Sequence, residues 1–365
     1  MPITITEIAK AAGVSPATVS RAMNNTDHPI NQETKERILR IANALGYQPN
    51  MVARSMRTDR TYTIGIIVEN ILSPFIPPII RGIQDFLHPE GYSSIIINSD
   101  WDPKIEADSI SSLNNRMIDG IIFVETWHHS PDAIEKMTTK PFVFVHRLFN
   151  SHSPNSVLPD DYGGARLATR HLAKLGHQRI AFINGPKDWD ASLNRIRGYK
   201  DELETCGLPL EKNLIKKGDW EVKGGYLATL ALAGMRNPPT AVFAANDLMA
   251  LGTIYALQEA KLRVPQDIAV VGYDNRNFSG FVRPAITTVT LPCYEMGVSA
   301  ARLLSDLIND KVKAVEPVEV KGELIVRETC GAIHEPWEME DDQGSSAWRE
   351  KRREILHNWA GKRSS

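Results

Sequence analysis

The sequence predicts an all-α helix-turn-helix head with a short hinge helix, followed by a two-lobed α/β domain with parallel sheets. Residues 1–60 contain helix-length segments whose starts and stops are marked by capping residues. From residue 64 to residue 273, strand-length apolar runs alternate with helical segments, as in parallel sheets covered on both faces. About ten such repeats exceed one comfortable open sheet, so two doubly wound lobes are expected.

The first two helices of the head are predicted from their ends. The segment Thr4-Ile5-Thr6-Glu7 fits a capping box, and Gly13 stops the helix that it opens. A second helix starts at once, with Ser15 as its N-cap and Pro16 at a position where a missing N–H costs nothing. Val19 and Met23 then face the core, and the side chains left towards solvent are Ala17, Thr18, Ser20 and Arg21.

A third helix follows Asn31 and ends at Gly46, with Ile38, Ile41, Ala42 and Leu45 predicted to face inward. An ordinary three-helix bundle would show the same pattern. The outer surface of the second helix favours a different role, because it is small, hydroxylated and ends in Arg21. Such a surface can enter a DNA major groove about 12 Å wide and contact base edges.

The next segment is predicted to be a hinge. Pro49 and Asn50 mark a fresh helix start, and Met51–Met56 forms barely two turns. A helix this short is marginal in water. We therefore expect it to need a partner to order it.

Several motifs together resemble the LacI/GalR family of transcription regulators. GVSPATVSRAMN, ALGYQPNMVARSM and TIGIIV follow one another in the family's order and spacing. The similarity continues over roughly residues 3–330 through HLAKLGHQRIAFINGP, RIRGYKDEL, PPTAVFAANDLMALG, VPQDIAVVGYDN, PAITTV and GELIVRET. The resemblance implies two periplasmic-binding-protein-like lobes joined by crossovers.

The implied organisation has four parts. Residues 1–48 form the helix-turn-helix domain, 49–60 the hinge helix and linker, and 61–330 the two-lobed effector-binding and dimerisation domain. The tail, 331–365, lies beyond the family pattern. It carries an acidic run and then a short basic segment around residues 348–359, which fits either a disordered or loosely docked tail or a helix that binds a partner.

The resemblance and the helix surface together predict the DNA contacts. Arg21 suits guanine O6 and N7, whereas Ala17 and the Thr18 methyl can meet a thymine methyl. Met56 stands where the family usually has a leucine that wedges into the minor groove, and methionine is apolar and flexible enough to intercalate. The candidate DNA-contacting residues are Thr4, Ser15, Pro16, Ala17, Thr18, Ser20, Arg21, Asn24, Tyr47, Asn50, Ala53 and Met56.

Polar side chains that follow the predicted strands are the candidate effector ligands. In parallel α/β sheets, ligands collect beyond the carboxyl ends of the strands. Arginine, aspartate and asparagine donate and accept hydrogen bonds, and tryptophan offers an aromatic face, a combination that suits a sugar. The candidates are Asn70, Ser73, Phe75, His146, Arg147, Asp160, Arg195, Trp220, Asn246 and Asp274.

Four of these candidates match the motifs of the resemblance. Arg195 of RIRGY, Asn246 of AAND and Asp274 of GYDN resemble effector-contacting positions, and Trp220 of GDW resembles the position that stacks on the effector. Each also has a structural reading: Asn246 could cap the helix that follows it, and Trp220 could be a core aromatic.

Composition and motifs exclude other classes of protein. The 365 residues include 42 basic and 44 acidic side chains, yet residues 1–60 hold eight basic and five acidic ones, which suggests a polyanion partner for the head alone. GxSxG, GxxxxGK[ST], HExxH and GxGxxG patterns are all missing. Three scattered cysteines give no metal-ligand spacing. We expect neither an enzyme nor a bound cofactor or metal.

The predicted function is a cytoplasmic, homodimeric repressor of a carbohydrate-utilisation operon that binds double-stranded operator DNA and a small-molecule effector bound between its lobes. No signal peptide or membrane span is predicted. Two alternatives within the class are a regulator that senses a purine or nucleoside and one that depends on a partner protein. A solute-binding protein is a remote alternative, which the head argues against. Both induction and co-repression fit the same residues.

Overall fold

A computed structural model describes residues 3–24, 30–47, 60–125, 129–147 and 154–332 of the chain. The predictions for Asn50, Ala53, Met56, the rest of the hinge and the tail from residue 333 onward lie outside the described residues. The side chain of Asn24 also lies outside them.

The head consists of three helices, α1 (Ile5–Ala12), α2 (Pro16–Asn24) and α3 (Gln32–Ala44). The predicted capping box is present, because Thr4 N donates to Glu7 Oε2 at 2.7 Å and Glu7 N donates to Thr4 Oγ1 at 3.4 Å. The buried core of the head is Ile8, Ala9, Ala12, Val19, Ala22, Ile38 and Ala42, with Met23 and Ile41 packed against it.

The inward prediction for Leu45 is wrong. This residue is the C-cap of α3, and 41% of it is exposed. The helix ends one residue before it, so the helical spacing that would have turned its side chain inward no longer applies.

The α/β part begins with five strands and three helices in strict alternation up to the fourth strand. Apolar runs form the strands because both faces of a central parallel strand are covered. The elements are β1 (Thr63–Val68), α4 (Ile76–Leu87), β2 (Ser93–Asn98), α5 (Pro103–Asn115), β3 (Gly120–Val124), α6 (Pro131–Met137), β4 (Phe142–Val145) and β5 (Ser156–Pro159).

The second half repeats the alternation and then returns to close both sheets. The elements are α7 (Asp161–Lys174), β6 (Ile180–Asn184), α8 (Asp190–Thr205), β7 (Ile215–Lys217), α9 (Val222–Ala233), β8 (Ala241–Ala244), α10 (Asp247–Glu259), β9 (Ala269–Asp274), β10 (Thr287–Thr290), α11 (Cys293–Ile308), β11 (Val318–Val320) and β12 (Leu324–Ile325).

Two six-stranded sheets result, with the orders β11-β5-β4-β3-β1-β2 and β12-β10-β9-β8-β6-β7. The predicted parallel pairing is present from β5 through β4, β3 and β1 to β2, and from β10 through β9, β8 and β6 to β7. Strand β12 departs from it and runs antiparallel to β10. Strand order reverses beside β1 in the first sheet and beside β6 in the second. Such reversals open a crevice at the carboxyl ends of the strands.

The chain divides into two compact units. Unit 1 comprises Met1–Val157 and Gly297–Pro317, and unit 2 comprises Leu158–Met296 and the chain from Val318 onward. Each has its own core: Ile67, Phe123 and Phe144 lie in that of unit 1, and Phe182 packs between Tyr199 and Phe243 in unit 2. Within the described residues, no helix is both long and apolar enough to cross a bilayer.

Candidate nucleic-acid interface and ligand site

One face of α2 is available for contact with DNA. Val19 and Ala22 are buried on the opposite face and hold the helix against the head. Ser15 caps the helix, because its Oγ accepts from Thr18 N at 3.1 Å. The exposed or half-buried residues on the outer face are the ones predicted for base contact, namely Pro16, Ala17, Thr18, Ser20 and Arg21.

The remaining described candidates of the head have structural positions. Thr4 caps α1, and Tyr47 is half-buried against the head core. Tyr47 N also donates to Ala42 O at 2.9 Å, which fixes the exit of the chain from α3. Both residues therefore act at least through the shape of the head.

Four candidates of unit 2, namely Arg195, Trp220, Asn246 and Asp274, lie together at the carboxyl ends of its strands. With Asp161 they are called the Arg195 cluster. Arg195 extends from α8 and is only 3% exposed. Its Nε donates to Asp161 Oδ1 at 2.8 Å, and its Nη1 donates to the carbonyl of Ala245 and to Asp274 Oδ1 at 3.5 Å. Among the described residues, Nη2 makes no hydrogen bond. One edge of the guanidinium is therefore fixed by protein, and Nη2 remains as a donor.

Two aromatic rings flank this guanidinium. The Arg195 Cζ lies 3.7 Å from the centroid of the Tyr273 ring and 5.6 Å from that of Trp220. Cation–π attraction adds to the ion pairs in holding the charge. A buried guanidinium held in this way has little freedom to change its position.

Trp220 is positioned by Asn246. The Asn246 Oδ1 accepts from Met249 N at 2.8 Å and so caps α10, as one reading of the sequence expects, while its Nδ2 donates to Trp220 O at 2.9 Å. The Trp220 ring lies against Gly185, where a Cβ would come within 2.1 Å of the ring. Its Nε1 is buried without a hydrogen-bond partner among the described residues, so the indole has a donor to spare.

The Asp274 loop is held from below by Asp247, which the sequence reasoning missed. Asp247 is fully buried and accepts from Arg276 N and Thr288 Oγ1, both at 2.7 Å, and from Ser279 Oγ. Burial raises the pKa of Asp247 to about 6, although these hydrogen bonds oppose the shift. Asp274 itself has a φ of 99°, so the turn needs this support.

The adjacent carboxylates Asp160 and Asp161 have different roles. Asp160 caps α7 by accepting from Gly163 N at 2.6 Å, whereas Asp161 pairs with Arg195. Of the two, the sequence singled out only Asp160 as a ligand candidate. The side chain that completes the Arg195 cluster comes from the first turn of α7, and only the packing of α7 against α8 reveals it.

A second group of candidates lies in unit 1. Asn70 Oδ1 accepts from Leu72 N at 3.0 Å, and Ser73 accepts from Ile76 N at 3.2 Å through its carbonyl, so both shape the loop after β1. Phe75 contacts the ring of His146 edge-on, with centroids 6.1 Å apart. His146 Nδ1 in turn lies 2.6 Å from Glu125 Oε1.

Arg147 is turned into the interior of unit 1. It is 1% exposed, its Nη2 donates to His129 O at 3.2 Å, and its Cζ lies 5.5 Å from the Phe144 ring centroid. Burial lowers its pKa to about 9, opposed by the charges of Glu106 and Glu69. Burial also raises the pKa of Glu69 to about 8. Arg147 is therefore placed to hold neighbouring loops rather than to be reached from solvent.

Comparisons with known proteins agree with the head and with the α/β fold. The family model for bacterial regulatory proteins of the lacI family matches residues 4–50, and that for a periplasmic binding protein-like domain matches residues 169–330. The HTH-type transcriptional regulator DegA of Bacillus subtilis (strain 168) is 32% identical over 339 residues, covering 92% of this chain and all of DegA.

Solved structures give the same answer. The transcriptional regulator CelR in complex with cellobiose is 31% identical, with a TM-score of 0.64 over 90% of this chain and 99% of that one. The Lac repressor dimer bound to operator and the anti-inducer ONPF is 26% identical, with a TM-score of 0.71 over 91% of this chain and all of that one.

The head and the two-sheet α/β fold thus define the class: a DNA-binding transcription regulator and not an enzyme. Identity of this extent over nearly the whole of both chains identifies the family as well. The chain belongs to the LacI family of transcriptional regulators.

Replacing Asp161 by Asn should destabilise unit 2 strongly. The variant removes the shorter of the two ion pairs of Arg195 and leaves a buried charge poorly compensated, at a cost of about 3 kcal/mol in the free energy of unfolding. Urea denaturation followed by circular dichroism measures this. Asp201→Asn is the matched control, because Asp201 is only partly buried and its hydrogen-bond donor, Tyr162 Oη at 3.1 Å, is uncharged. Equal losses in the two variants would contradict the role of the Arg195 cluster.

The free energy of unfolding should depend on pH because Asp274 titrates. Burial raises the pKa of Asp274 to about 7; Arg195 opposes the shift, and Asp247 and Asp161 add to it. Between about pH 4 and pH 7 the native state therefore binds more protons than the unfolded state, and the free energy of unfolding decreases as pH rises. Urea midpoints across this range should fall less in Asp274→Asn than in the parent, whereas Asp108→Asn, at an exposed site, should follow the parent.

Proposed function

We propose that the protein is a repressor of a carbohydrate-utilisation operon whose affinity for operator DNA changes when a sugar binds to unit 2. The observation that carries this proposal is the Arg195 cluster. An Arg, an Asn, an Asp and a Trp from four separate stretches of chain meet at the carboxyl ends of the unit 2 strands.

The chemistry of the cluster supports a sugar. Hydroxyl groups both donate and accept, and the cluster offers Arg195 Nη2 and Trp220 Nε1 as donors and Asp274 as an acceptor. Trp189 lies beside Trp220 with ring centroids 6.1 Å apart, which gives an aromatic wall for the apolar face of a sugar ring. The cellobiose complex of CelR, a similar protein, is consistent with this ligand class.

The DNA half of the proposal rests on α2. An α-helix with its side chains is about 10–12 Å across, so α2 can lie in a major groove about 12 Å wide, and its nine residues extend about 14 Å along the groove. We keep the prediction that residues 49–60 form a hinge that orders on operator DNA, with Met56 as the minor-groove wedge. DNA lies in the bacterial cytoplasm, which is therefore the proposed location.

We also propose a homodimer that places two heads on a pseudo-palindromic operator. Unit 2 presents exposed apolar side chains on two adjacent helices: Leu227 and Leu230 on α9 and Tyr255 on α10. The two helices are linked at the surface by Tyr226 Oη, which donates to Glu259 Oε2 at 2.7 Å. The Lac repressor structure that this chain resembles is a dimer on operator, which supports a second copy as the occupant of this face.

A direct experiment combines selection of a binding site from random duplexes with a ligand screen. The selected duplex is titrated with the full-length protein in the absence and presence of sugars and purine bases. The proposal expects a two-fold-symmetric site whose affinity changes with a sugar. A response to purine bases alone would favour the purine-sensing alternative, and a protein that selects no sequence would contradict the DNA-binding half.

Arg21→Ala should lose preference for the selected site. Loss of a bidentate contact to guanine costs about 1–3 kcal/mol on the selected duplex and much less on random DNA. Lys10→Ala is the comparison variant, because a phosphate contact should weaken all sequences alike. Electrophoretic mobility titrations on both duplexes measure the ratio, and an unchanged ratio in Arg21→Ala would exclude base reading by this residue.

Trp220→Ala should weaken the affinity for the sugar by about 5- to 150-fold, because it removes aromatic area worth about 1–3 kcal/mol. Gly185→Ala should do the same indirectly, since its new Cβ would displace the Trp220 ring. Gly234→Ala is the control, because the nearest atom to its Cβ is Leu230 O at 3.4 Å. Isothermal titration measures all three; normal binding by both Trp220→Ala and Gly185→Ala would remove Trp220 from the site.

The double variant Leu227→Glu/Tyr255→Glu should dissociate the dimer, because two carboxylates would face their copies across the axis. Analytical ultracentrifugation should then show a monomer with native circular dichroism. Leu210→Glu, another exposed leucine of unit 2, should leave the dimer intact. A dimer that survives the double variant must use another surface.

A further inference from the structure

Arg195, the guanidinium at the unit 2 site, is already matched by carboxylates of the chain. Asp161 and Asp274 share the single charge of Arg195, at 2.8 Å and 3.5 Å. Asp190 opens α8 nearby, and its pKa is raised by burial and by the charge of Asp161. The immediate neighbourhood of Arg195 therefore carries no excess of positive charge, and an incoming anion would have to compete with Asp161 and Asp274 for one cation.

The wider rim of the site is rich in acidic residues. The segments 160–161, 184–195, 218–221, 245–247 and 274–276, which surround the strand ends, contain eight acidic residues and three basic ones. Besides Arg195, the basic residues are Lys187 and Arg276. Two cations do not offset this surplus of carboxylates.

The helix N-termini at this edge carry acidic residues as well. Backbone amides at a helix start are the usual protein site for a phosphate. Here α7 begins with Asp160 and Asp161, α8 with Asp190, and α10 with Asp247, while Glu221 stands at the N-cap of α9. Asp160 caps α7, and the starts of α8, α9 and α10 each carry an acidic residue whose charge opposes the approach of an anion to these amides.

The charged candidates of unit 1 also lie beside acidic side chains. The charges acting most strongly on Arg147 are those of Glu106 and Glu69; because burial raises the pKa of Glu69 to about 8, Glu106 is the acidic group that accompanies this guanidinium at neutral pH. His129 Nδ1 lies 3.1 Å from Glu106 Oε1, and His146 is paired with Glu125. The arginine among the unit 1 candidates therefore has an acidic side chain of the same unit beside it, and His146 lies against another.

We infer that the effector of this regulator carries no net negative charge: it is an unphosphorylated, uncharged polyhydroxyl compound rather than a sugar phosphate, a sugar acid or a nucleotide. The inference rests on the proposed function, whose ligand class it narrows. Bringing a phosphate dianion to the Arg195 cluster would add repulsion from Asp161 and Asp190, and from Asp274 in its ionised form, whereas a neutral ligand can use Nη2 of Arg195 and Nε1 of Trp220 without that cost.

The experiment uses the full-length protein and matched pairs of compounds that differ in a phosphate. Isothermal titration compares glucose with glucose 6-phosphate, cellobiose with its 6-phosphate, and inosine with inosine monophosphate, with inorganic phosphate as the ion alone. We expect one neutral member to bind and its phosphorylated partner to bind at least tenfold more weakly at low salt. The difference should shrink as salt is raised, because the repulsion is screened.

Two variants assign the discrimination to the site. Asp190→Asn removes one negative charge beside Asp161 and should reduce the preference for the neutral member severalfold. Glu204→Gln makes the same change in charge on an exposed side chain at the other end of α8, about 21 Å away along the helix, and should leave the preference unchanged. An equal effect of the two variants would overturn the assignment of the discrimination to this cluster.

The outcomes separate the inference from the proposed function. The charge inference is overturned if a phosphorylated compound binds as tightly as its neutral partner, or if inorganic phosphate binds by itself. If the phosphorylated compound that binds is a sugar phosphate, the proposal of a sugar-responsive regulator still stands. Binding of inosine without inosine monophosphate supports the charge inference and contradicts the carbohydrate proposal. Failure of every compound contradicts both.

Discussion

The buried guanidinium of Arg195 is the interaction on which the ligand site depends. A charge that is 3% exposed would be very costly without partners, so the chain supplies Asp161, the Ala245 carbonyl, Asp274 and the Tyr273 ring. These partners come from α7, the end of β8 and the end of β9. Because the buried Arg195 guanidinium needs all of these partners, their contacts with it fix the relative positions of three strand–helix junctions of unit 2.

The same arrangement sets what the site can accept. Because the carboxylates outnumber the cation they hold, the cluster has polar groups in fixed directions but no positive charge to offer. Fixed donors and acceptors without net attraction for anions favour recognition by hydroxyl pattern, and a missing hydroxyl would leave protein groups unpaired. Asp247, beneath the Asp274 turn, and Asn246, beside Trp220, keep those directions constant.

Much of the fold could be predicted because its strands are near-continuous apolar runs with helices between them. Strands β7 and β11 escape that signal, since they are three residues long and carry charged side chains. The site was predictable where side chains directly follow strands, as for Asn246 and Asp274. The partnership of Asp161 with Arg195 was not, because it arises from packing of α7 on α8, where Gly198 allows the backbone of Tyr162 to come close.

Amide hydrogen exchange with and without a bound neutral sugar tests the central claim most directly. If the Arg195 cluster is the ligand site, the sugar should slow exchange in the segments around 184–195, 218–221, 245–249 and 274–279 of unit 2, which the cluster and its supports join. The same sugar should leave these segments unaffected in Asp274→Ala. Protection confined to other parts of the chain, or equal protection in that variant, would contradict the account.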